Sequence, residues 1–80
     1  MNLKKGGYNC NGPCINDNTP YFTWAEAWEK CATMDTCTRV MRWENGSHYN
    51  YYLRKADDIF IDNDRFLHVD FDPKCRDTGN

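Results

Sequence analysis

Several features are missing from this chain, and each absence excludes a class of function. No stretch of even ten consecutive apolar residues occurs, which excludes a membrane-spanning helix because such a helix needs about 20. Residues 1–7 include two lysines but no apolar segment after them, so they lack the pattern of a secretory signal peptide. No basic stripe occurs, and six of the twelve acidic residues lie between Asp57 and Asp72, where they would repel a polyphosphate. We therefore expect no membrane insertion and no nucleic-acid partner.

Catalytic motifs are missing as well. Nucleophilic catalysis needs a serine or cysteine that is activated by a nearby base. Ser47 does not lie in a nucleophile-elbow motif, and His48 and His68 are typical of surface or edge histidines. We expect the protein not to be an enzyme.

The spacings that bind metals are also absent. The pairs Cys10–Cys14 and Cys31–Cys37 lack the tight second knuckle of a zinc site. The aspartates of the C-terminal third lack the glycine and terminal glutamate of an EF-hand loop, and they indicate a solvated acidic surface. The sequence therefore predicts no metal site and no cofactor. These aspartates are Asp58, Asp62, Asp64, Asp70 and Asp72.

What the chain does contain is cysteine. A chain of 80 residues builds one domain, whose core rarely supplies more than roughly 3–5 kcal/mol of net stability. Dense cysteine in so short a chain is typical of a disulfide framework, which predicts a secreted or extracellular protein. The alternatives are buried thiols or a zinc site, and the odd number leaves one cysteine free or paired outside these residues. The five are Cys10, Cys14, Cys31, Cys37 and Cys75.

One helix is predicted after a turn-rich N-terminal segment. Residues 1–20 contain five Gly or Pro and five Asn, which allow at most a short strand near Leu3 or Tyr8. Thr23 and Glu26 then have the capping-box form that begins a helix. Apolar residues recur at helical spacing after this cap, which predicts a helix over residues 24–34. They are Trp24, Ala27, Trp28 and Cys31.

A hairpin is predicted next. Residues 38–43 favour a strand, and Asn45-Gly46 is a strong turn signal. The return strand over residues 48–54 alternates, and we expect Tyr49, Tyr51 and Leu53 to face the helix. The other face would point outward with His48, Asn50, Tyr52 and Arg54.

The rest of the chain completes an α+β fold. Residues 59–61 and 66–71 predict two short strands, separated by a turn at residues 62–64. Pro73 ends the ordered pattern, and Cys75 in the tail of residues 73–80 can bond back to the body. The predicted fold is one disulfide-stapled domain over residues 1–80, with one helix packed across a small antiparallel β-sheet.

The outward face of the return strand is the candidate binding surface. His48, Asn50, Tyr52 and Arg54, with Arg42 beside them, would present aromatic, amide and cationic groups to a protein or a sugar ring. The alternative is an ordinary solvent-facing strand, and a slip of one residue would exchange the two faces. The three tryptophans are expected in the core.

The predicted hairpin tip also contains a modification motif. Asn45-Gly46-Ser47 is an N-glycosylation sequon, although Asn-Gly is equally a favoured turn pair.

The middle of the chain resembles the PAN/apple domain family. The resemblance rests on the run from Trp24 to Cys31, on Cys37, and on the return-strand segment Tyr51-Tyr52-Leu53-Arg54. It covers about residues 20–56. Family members carry a further disulfide between an earlier helical cysteine and the return strand. Ala27 and Tyr51 occupy those two positions here, so both members of that pair are missing together.

The resemblance implies both a bonding pattern and a function. It implies a Cys31–Cys37 bridge, which is also sterically easy between the last helical turn and the next element, and a bridge from Cys75 to Cys10 or Cys14. It further implies a non-catalytic extracellular recognition or adhesion module that binds a protein or a carbohydrate. The alternative is a structural subunit of an extracellular or particle-surface assembly, self-associating through the odd cysteine or a sheet edge. A secreted toxin or inhibitor on the same scaffold is a third hypothesis.

Overall fold

The computed structural model of the protein describes residues 2–72 and residue 74. These residues form one α-helix and two antiparallel sheets, which confirms the predicted α+β class. The strands are β1 (Lys4–Lys5), β2 (Gly7–Asn9), β3 (Cys37–Asn45), β4 (His48–Lys55), β5 (Ile59–Ile61) and β6 (Phe66–Asp70). The four-stranded sheet has the order β1-β6-β3-β4, and a separate two-stranded ribbon pairs β2 with β5.

The helix begins at the predicted cap and ends earlier than predicted. α1 spans Trp24–Ala32, and the N-cap Thr23 accepts a hydrogen bond from the backbone N–H of Glu26 at 3.1 Å. The Glu26 carboxylate accepts from the N–H of Phe22 at 3.2 Å, one residue before the donor that a standard capping box uses. At the other end, the Thr33 hydroxyl donates to the carbonyl of Lys30 at 2.7 Å. This side-chain hydrogen bond competes with the backbone N–H that would bond to the same carbonyl in a longer helix. The helix ends two residues before the predicted end.

The β3–β4 hairpin has the predicted position but a different turn. Asn45 pairs with His48, so the two loop residues are Gly46 and Ser47. Gly46 has a φ of 64°, and Asn45 is not in the positive-φ region. Glycine at the first central position is the pattern of a type II′ turn, whose twist matches that of the flanking strands.

The four-stranded sheet is covered on both faces. On one face, Trp24 of the helix contacts Tyr51 with ring centroids 4.9 Å apart, and Trp28 contacts Phe71 at 4.5 Å. On the other face, Tyr8 of the ribbon stacks on Arg39 of β3, with the guanidinium carbon 3.9 Å from the ring centroid. The core lies between helix and sheet, as predicted for Tyr51 and Leu53. Its buried members are Ala27, Cys31, Cys37, Val40, Tyr51, Leu53 and Phe71.

The ribbon is a feature that the sequence did not predict. The segments 59–61 and 66–70 are strands as expected, but they belong to different sheets. Gly7 allows the close approach, because a Cβ there would lie 2.6 Å from the Met41 sulfur and 2.7 Å from the Phe66 Cβ. Trp24 and Trp28 pack against the core as expected, whereas Trp43 is half-buried on the ribbon side of the sheet.

The N-terminal connection contains a left-handed turn. Ile15–Asn18 forms a 3₁₀-type turn in which Asn16, Asp17 and Asn18 have φ values of 56°, 52° and 54°. Asn and Asp tolerate this region better than other residues with side chains, which accounts for their concentration here.

The two disulfides correct part of the predicted bonding pattern. Cys31 bonds Cys37 as predicted, with the Cα atoms 5.3 Å apart. Cys10 bonds Cys14, so the predicted bridge from either of them to Cys75 is wrong. Gly12, at a φ of 72°, turns the chain between the two N-terminal cysteines and brings their Cα atoms to 5.1 Å. Cys75 and nearly all of the predicted tail lie outside the described residues.

Candidate functional site

The structure divides the predicted binding residues between two faces of the sheet. Cross-strand partners lie on the same face, and β3 pairs Arg42 with Tyr51, not with Tyr52. Arg42 therefore lies on the helix side, and the prediction that it lies beside His48 and Asn50 is wrong. The residues on the ribbon side are His48, Asn50, Tyr52 and Arg54.

Arg54 is a structural residue, not an exposed contact. Its exposed fraction is 5%, and its Nε donates to the carbonyl of Tyr8 at 2.8 Å. Its Nη1 donates to Asn18 Oδ1 at 2.8 Å and to the Leu53 carbonyl at 2.9 Å. Burial lowers the pKa of the guanidinium while the Asp58 carboxylate raises it, and an arginine stays charged in either case. The N-terminal segment covers the end of the face that the sequence predicted to be open.

The other three residues of that face form a short polar row. The Asn50 amide donates to the Tyr52 hydroxyl at 3.2 Å, and both side chains are half-buried. His48 is exposed at the hairpin tip. This hydrogen bond uses one amide donor of Asn50 and one acceptor site of the Tyr52 hydroxyl, so the row has less free hydrogen-bonding capacity than the sequence predicts.

The helix side holds a pair that sequence reasoning missed. Tyr49 was expected against the helix, yet it is 44% exposed, because the nine-residue helix covers Tyr51 and Leu53 and leaves the hairpin end open. The Arg42 guanidinium carbon lies 4.0 Å from the centroid of the Tyr49 ring. We call these two residues the Arg42–Tyr49 pair.

Arg42 has unused hydrogen-bonding capacity. Its side chain makes no hydrogen bond or ion pair with any residue in the described part of the chain, and its buried Nε has no acceptor. A buried donor without a partner costs about 1–3 kcal/mol. Stacking on Tyr49 fixes the guanidinium plane, so the terminal nitrogens remain as oriented donors for a group from outside.

A small cavity of about 340 Å³ lies near the other end of the hairpin. Lys55, the positively charged residue in its lining, is already paired: its Nζ lies 2.6 Å from Asp58 Oδ1 and donates to the Asn11 carbonyl at 2.6 Å. Burial raises the pKa of Asp58, but hydrogen bonds from Lys55 Nζ and from two backbone N–H groups outweigh it and hold that pKa below its usual value. This cluster ties the N-terminal segment to the β4–β5 turn. The cavity is lined by Asp35, Thr36, Thr38, Lys55, Ala56 and Asp57.

The histidines do not form a catalytic arrangement within the described residues. Ser47 Oγ lies 3.5 Å from His48 Nδ1 on an exposed turn, which is long for a nucleophile–base hydrogen bond. His68 is buried, and its Nδ1 lies 2.8 Å from the Gly6 carbonyl, which can only accept. His68 is thus a donor that holds the N-terminal segment. The four described cysteines are bonded in pairs, and this part of the chain contains no cluster of three or more metal-ligating residues.

Comparisons with protein-family models, with curated proteins and with solved structures found no match for this chain. Over residues 2–72 and 74, no helix is long and apolar enough to cross a membrane.

Proposed function

We propose that the protein is a non-catalytic recognition module that binds a protein or carbohydrate ligand through the Arg42–Tyr49 pair. One observation carries the proposal: a half-buried guanidinium without a protein acceptor is stacked on an exposed aromatic ring. Natural folds satisfy buried donors, and departures from this rule concentrate at functional sites.

The chemistry of the pair favours a ligand with an acidic group. A carboxylate or sulfate would accept hydrogen bonds from the Arg42 terminal nitrogens. Such charge-assisted hydrogen bonds, two of which can form in parallel, match the planar geometry of a guanidinium. Tyr49 would supply apolar contact area beside that group, and tyrosine and arginine are both enriched among residues that anchor interfaces. The protein's net charge of −2 weakens its attraction for a large polyanion. We therefore expect a ligand that carries a single acidic group.

An extracellular location is part of the proposal. Two disulfides within 71 consecutive residues support an oxidising compartment. The PAN/apple resemblance remains a proposal that rests on the sequence segments named above, and it agrees with adhesion or recognition outside the cell.

The test is binding to an array of neutral, carboxylated and sulfated glycans, together with acidic and neutral peptides. We expect binding to members with an acidic group, and at least a tenfold loss in the Arg42→Gln variant. Lys30→Gln is the matched control, because it removes one positive charge from the outer face of the helix and should leave binding unchanged. An equal loss of binding in the two variants, relative to the wild-type protein, would show that net charge, not the Arg42–Tyr49 pair, determines recognition.

The second candidate function is a structural subunit, and the outer edge of β5 favours it. Ile59 and Phe60 are 57% and 51% exposed on a strand that pairs, within the described residues, only with β2. An open apolar edge can pair with the same edge of a second copy. Sedimentation velocity over a concentration series would then show a dimer or larger species that Ile59→Lys abolishes. Phe22→Lys, at an exposed apolar position away from β5, should not change it; a monomer at every concentration would exclude this function.

A further inference from the structure

The hairpin tip presents the one N-glycosylation sequon of the 80-residue chain, Asn45-Gly46-Ser47. Asn45 is the last residue of β3 and pairs with His48, while Gly46 and Ser47 form the exposed two-residue loop. Asn45 itself is half-buried and lies where the sheet ends, next to an exposed loop that an enzyme can reach.

The turn does not require an asparagine at this position. Asparagine is favoured in tight turns because it tolerates positive φ at a central position and bonds to the nearby backbone. Asn45 meets neither condition, since it is not in the positive-φ region and its side chain makes no hydrogen bond with any described residue. Gly46, at a φ of 64°, supplies the conformational freedom that the turn needs. The local fold thus leaves the Asn45 amide unexplained.

An aromatic platform lies next to this amide. Trp43 is two residues before Asn45 on the same strand, so both side chains lie on the same face, about 7 Å apart along it. Trp43 is half-buried between its cross-strand neighbours Asn50 and Phe66. The apolar C–H face of a pyranose ring packs favourably on an indole, and the spacing suits the first sugar attached to Asn45.

We propose that Asn45 carries an N-linked glycan whose first sugar packs on Trp43. The glycosyl donor is a lipid diphosphate oligosaccharide. The Asn45 amide nitrogen forms a bond to the anomeric carbon, the bond from that carbon to the diphosphate oxygen breaks with its electron pair, and the amide proton passes to a base. The inference rests on the proposed extracellular route, because this transfer takes place in the secretory pathway.

The glycan would leave the Arg42–Tyr49 pair open. Asn45 shares its face with His48 and Asn50, whereas Arg42 and Tyr49 lie on the opposite face. A sugar on Trp43 would cover the polar row on the ribbon side of the hairpin and would direct ligands to the helix side.

The first measurement is the mass of the full chain expressed behind a cleaved secretion signal in a eukaryotic cell line. The molecular mass of protein from the medium and from the cells is measured by mass spectrometry before and after treatment with peptide N-glycosidase F. We expect a glycan mass that the enzyme removes, with conversion of residue 45 to aspartate on peptide mapping. Asn45→Gln and Ser47→Ala should abolish the added mass, and Ser47→Thr should retain it. An unmodified residue 45 in both fractions would overturn the proposal.

The second measurement tests the contact with Trp43. We expect removal of the glycan to lower the Tm of the wild-type protein by a few degrees, and to leave the Tm of a Trp43→Leu variant unchanged. Equal shifts in both proteins would overturn the packing of the sugar on Trp43. Because mass and Tm are measured without ligand, this outcome is independent of whether Arg42→Gln affects binding.

Discussion

Arg54 shows how one side chain joins distant parts of this small fold. Its donors reach Tyr8 and Asn18 of the N-terminal segment from the next-to-last position of β4. Replacement by Met would keep apolar volume but leave those acceptors without donors in a buried site. We expect Arg54→Met to lower the free energy of unfolding by about 3 kcal/mol, measured by urea denaturation. Arg65→Met, at an exposed position, should change it by less than about 0.5 kcal/mol; similar losses in both variants would contradict the structural role of Arg54.

Asp58 gives the fold a defined response to acid. Its pKa in the folded protein lies below the usual value despite burial, because Lys55 and two backbone N–H groups donate to the carboxylate. A lowered folded pKa contributes stability that is present above the unfolded value of about 3.9 and is lost as the pH falls through the folded value. We therefore expect the urea midpoint to be steady from about pH 7 to 5 and to fall below about pH 4.

Substitution of Asp58 separates this carboxylate from the others. Asp58→Asn should lower stability at pH 6 by about 1–3 kcal/mol and make the decline in acid shallower. Asp17→Asn is the control, since Asp17 is exposed and asparagine tolerates its positive φ. A variant that keeps the full acid dependence without Asp58 would assign that dependence to other carboxylates, Asp70 first, whose pKa is lowered by its hydrogen bond to Lys4.

Part of the candidate site could be predicted from the sequence. A two-residue turn pairs an even-numbered residue with an odd-numbered one, so the hairpin prediction already implied that Arg42 shares a face with Tyr49 and Tyr51. The exposure of Tyr49 depends on where the helix crosses the sheet, and the burial of Arg54 depends on the N-terminal segment folding back over β4. Both are tertiary contacts, and alternation along one strand gives no information about what covers its faces.

At the scale of elements, local patterns located the strands but not their partners. The Thr23 cap, the helical spacing and the β3–β4 hairpin each have a local physical cause and appear where the sequence predicts them, although the hairpin loop is Gly46-Ser47 and not Asn45-Gly46. The sequence also predicts the strands over 59–61 and 66–70. They belong to different sheets because β5 pairs with β2, a three-residue strand in a segment whose composition predicts turns. Short strands are stabilised mainly by cross-strand neighbours, so their own sequence predicts them poorly.

The ribbon depends on the lack of a side chain at Gly7. A Cβ there would overlap the Met41 sulfur and the Phe66 side chain, so β2 would have to move off the sheet. We expect Gly7→Ala to cost about 1–3 kcal/mol and to increase amide exchange in β2 and β5 before that in β3 and β4. Asn9→Ala, an exposed position on the same strand, is the matched control. Uniform loss of protection in every strand would show that the ribbon and the sheet unfold as one unit.

At the scale of the whole molecule, the disulfides between described residues are local, and the long-range connections among those residues are not covalent. The disulfides join residues separated by 4 and 6 positions, so neither links the N-terminal segment to the sheet. That link is made by β1, the ribbon, the Arg54 hydrogen bonds, the Asp58 cluster and the contact of His68 with Gly6. The PAN/apple resemblance implied a long-range bridge from Cys75 to Cys10 or Cys14; within the described residues, noncovalent contacts make the long-range link instead.

This arrangement predicts the order in which the disulfides are reduced. Cys31 and Cys37 are fully buried in the core, whereas Cys10 and Cys14 are half-exposed in a loop, and thiol–disulfide exchange requires access of the attacking thiolate. We expect limited dithiothreitol at neutral pH, followed by acid quenching, alkylation and peptide mapping, to label Cys10 and Cys14 first. Labelling of the unreduced protein gives the baseline for Cys75.

The Tm should respond differently at each step of that reduction. Opening of Cys10–Cys14 releases a short loop outside the core and should lower the Tm by only a few degrees. Opening of Cys31–Cys37 releases the end of the helix from the start of β3 and should unfold the domain cooperatively. Earlier labelling of Cys31 and Cys37 would mean that the junction between helix and sheet opens more readily than the N-terminal loop, and that this junction, not the noncovalent link to the N-terminal segment, limits the stability of the fold.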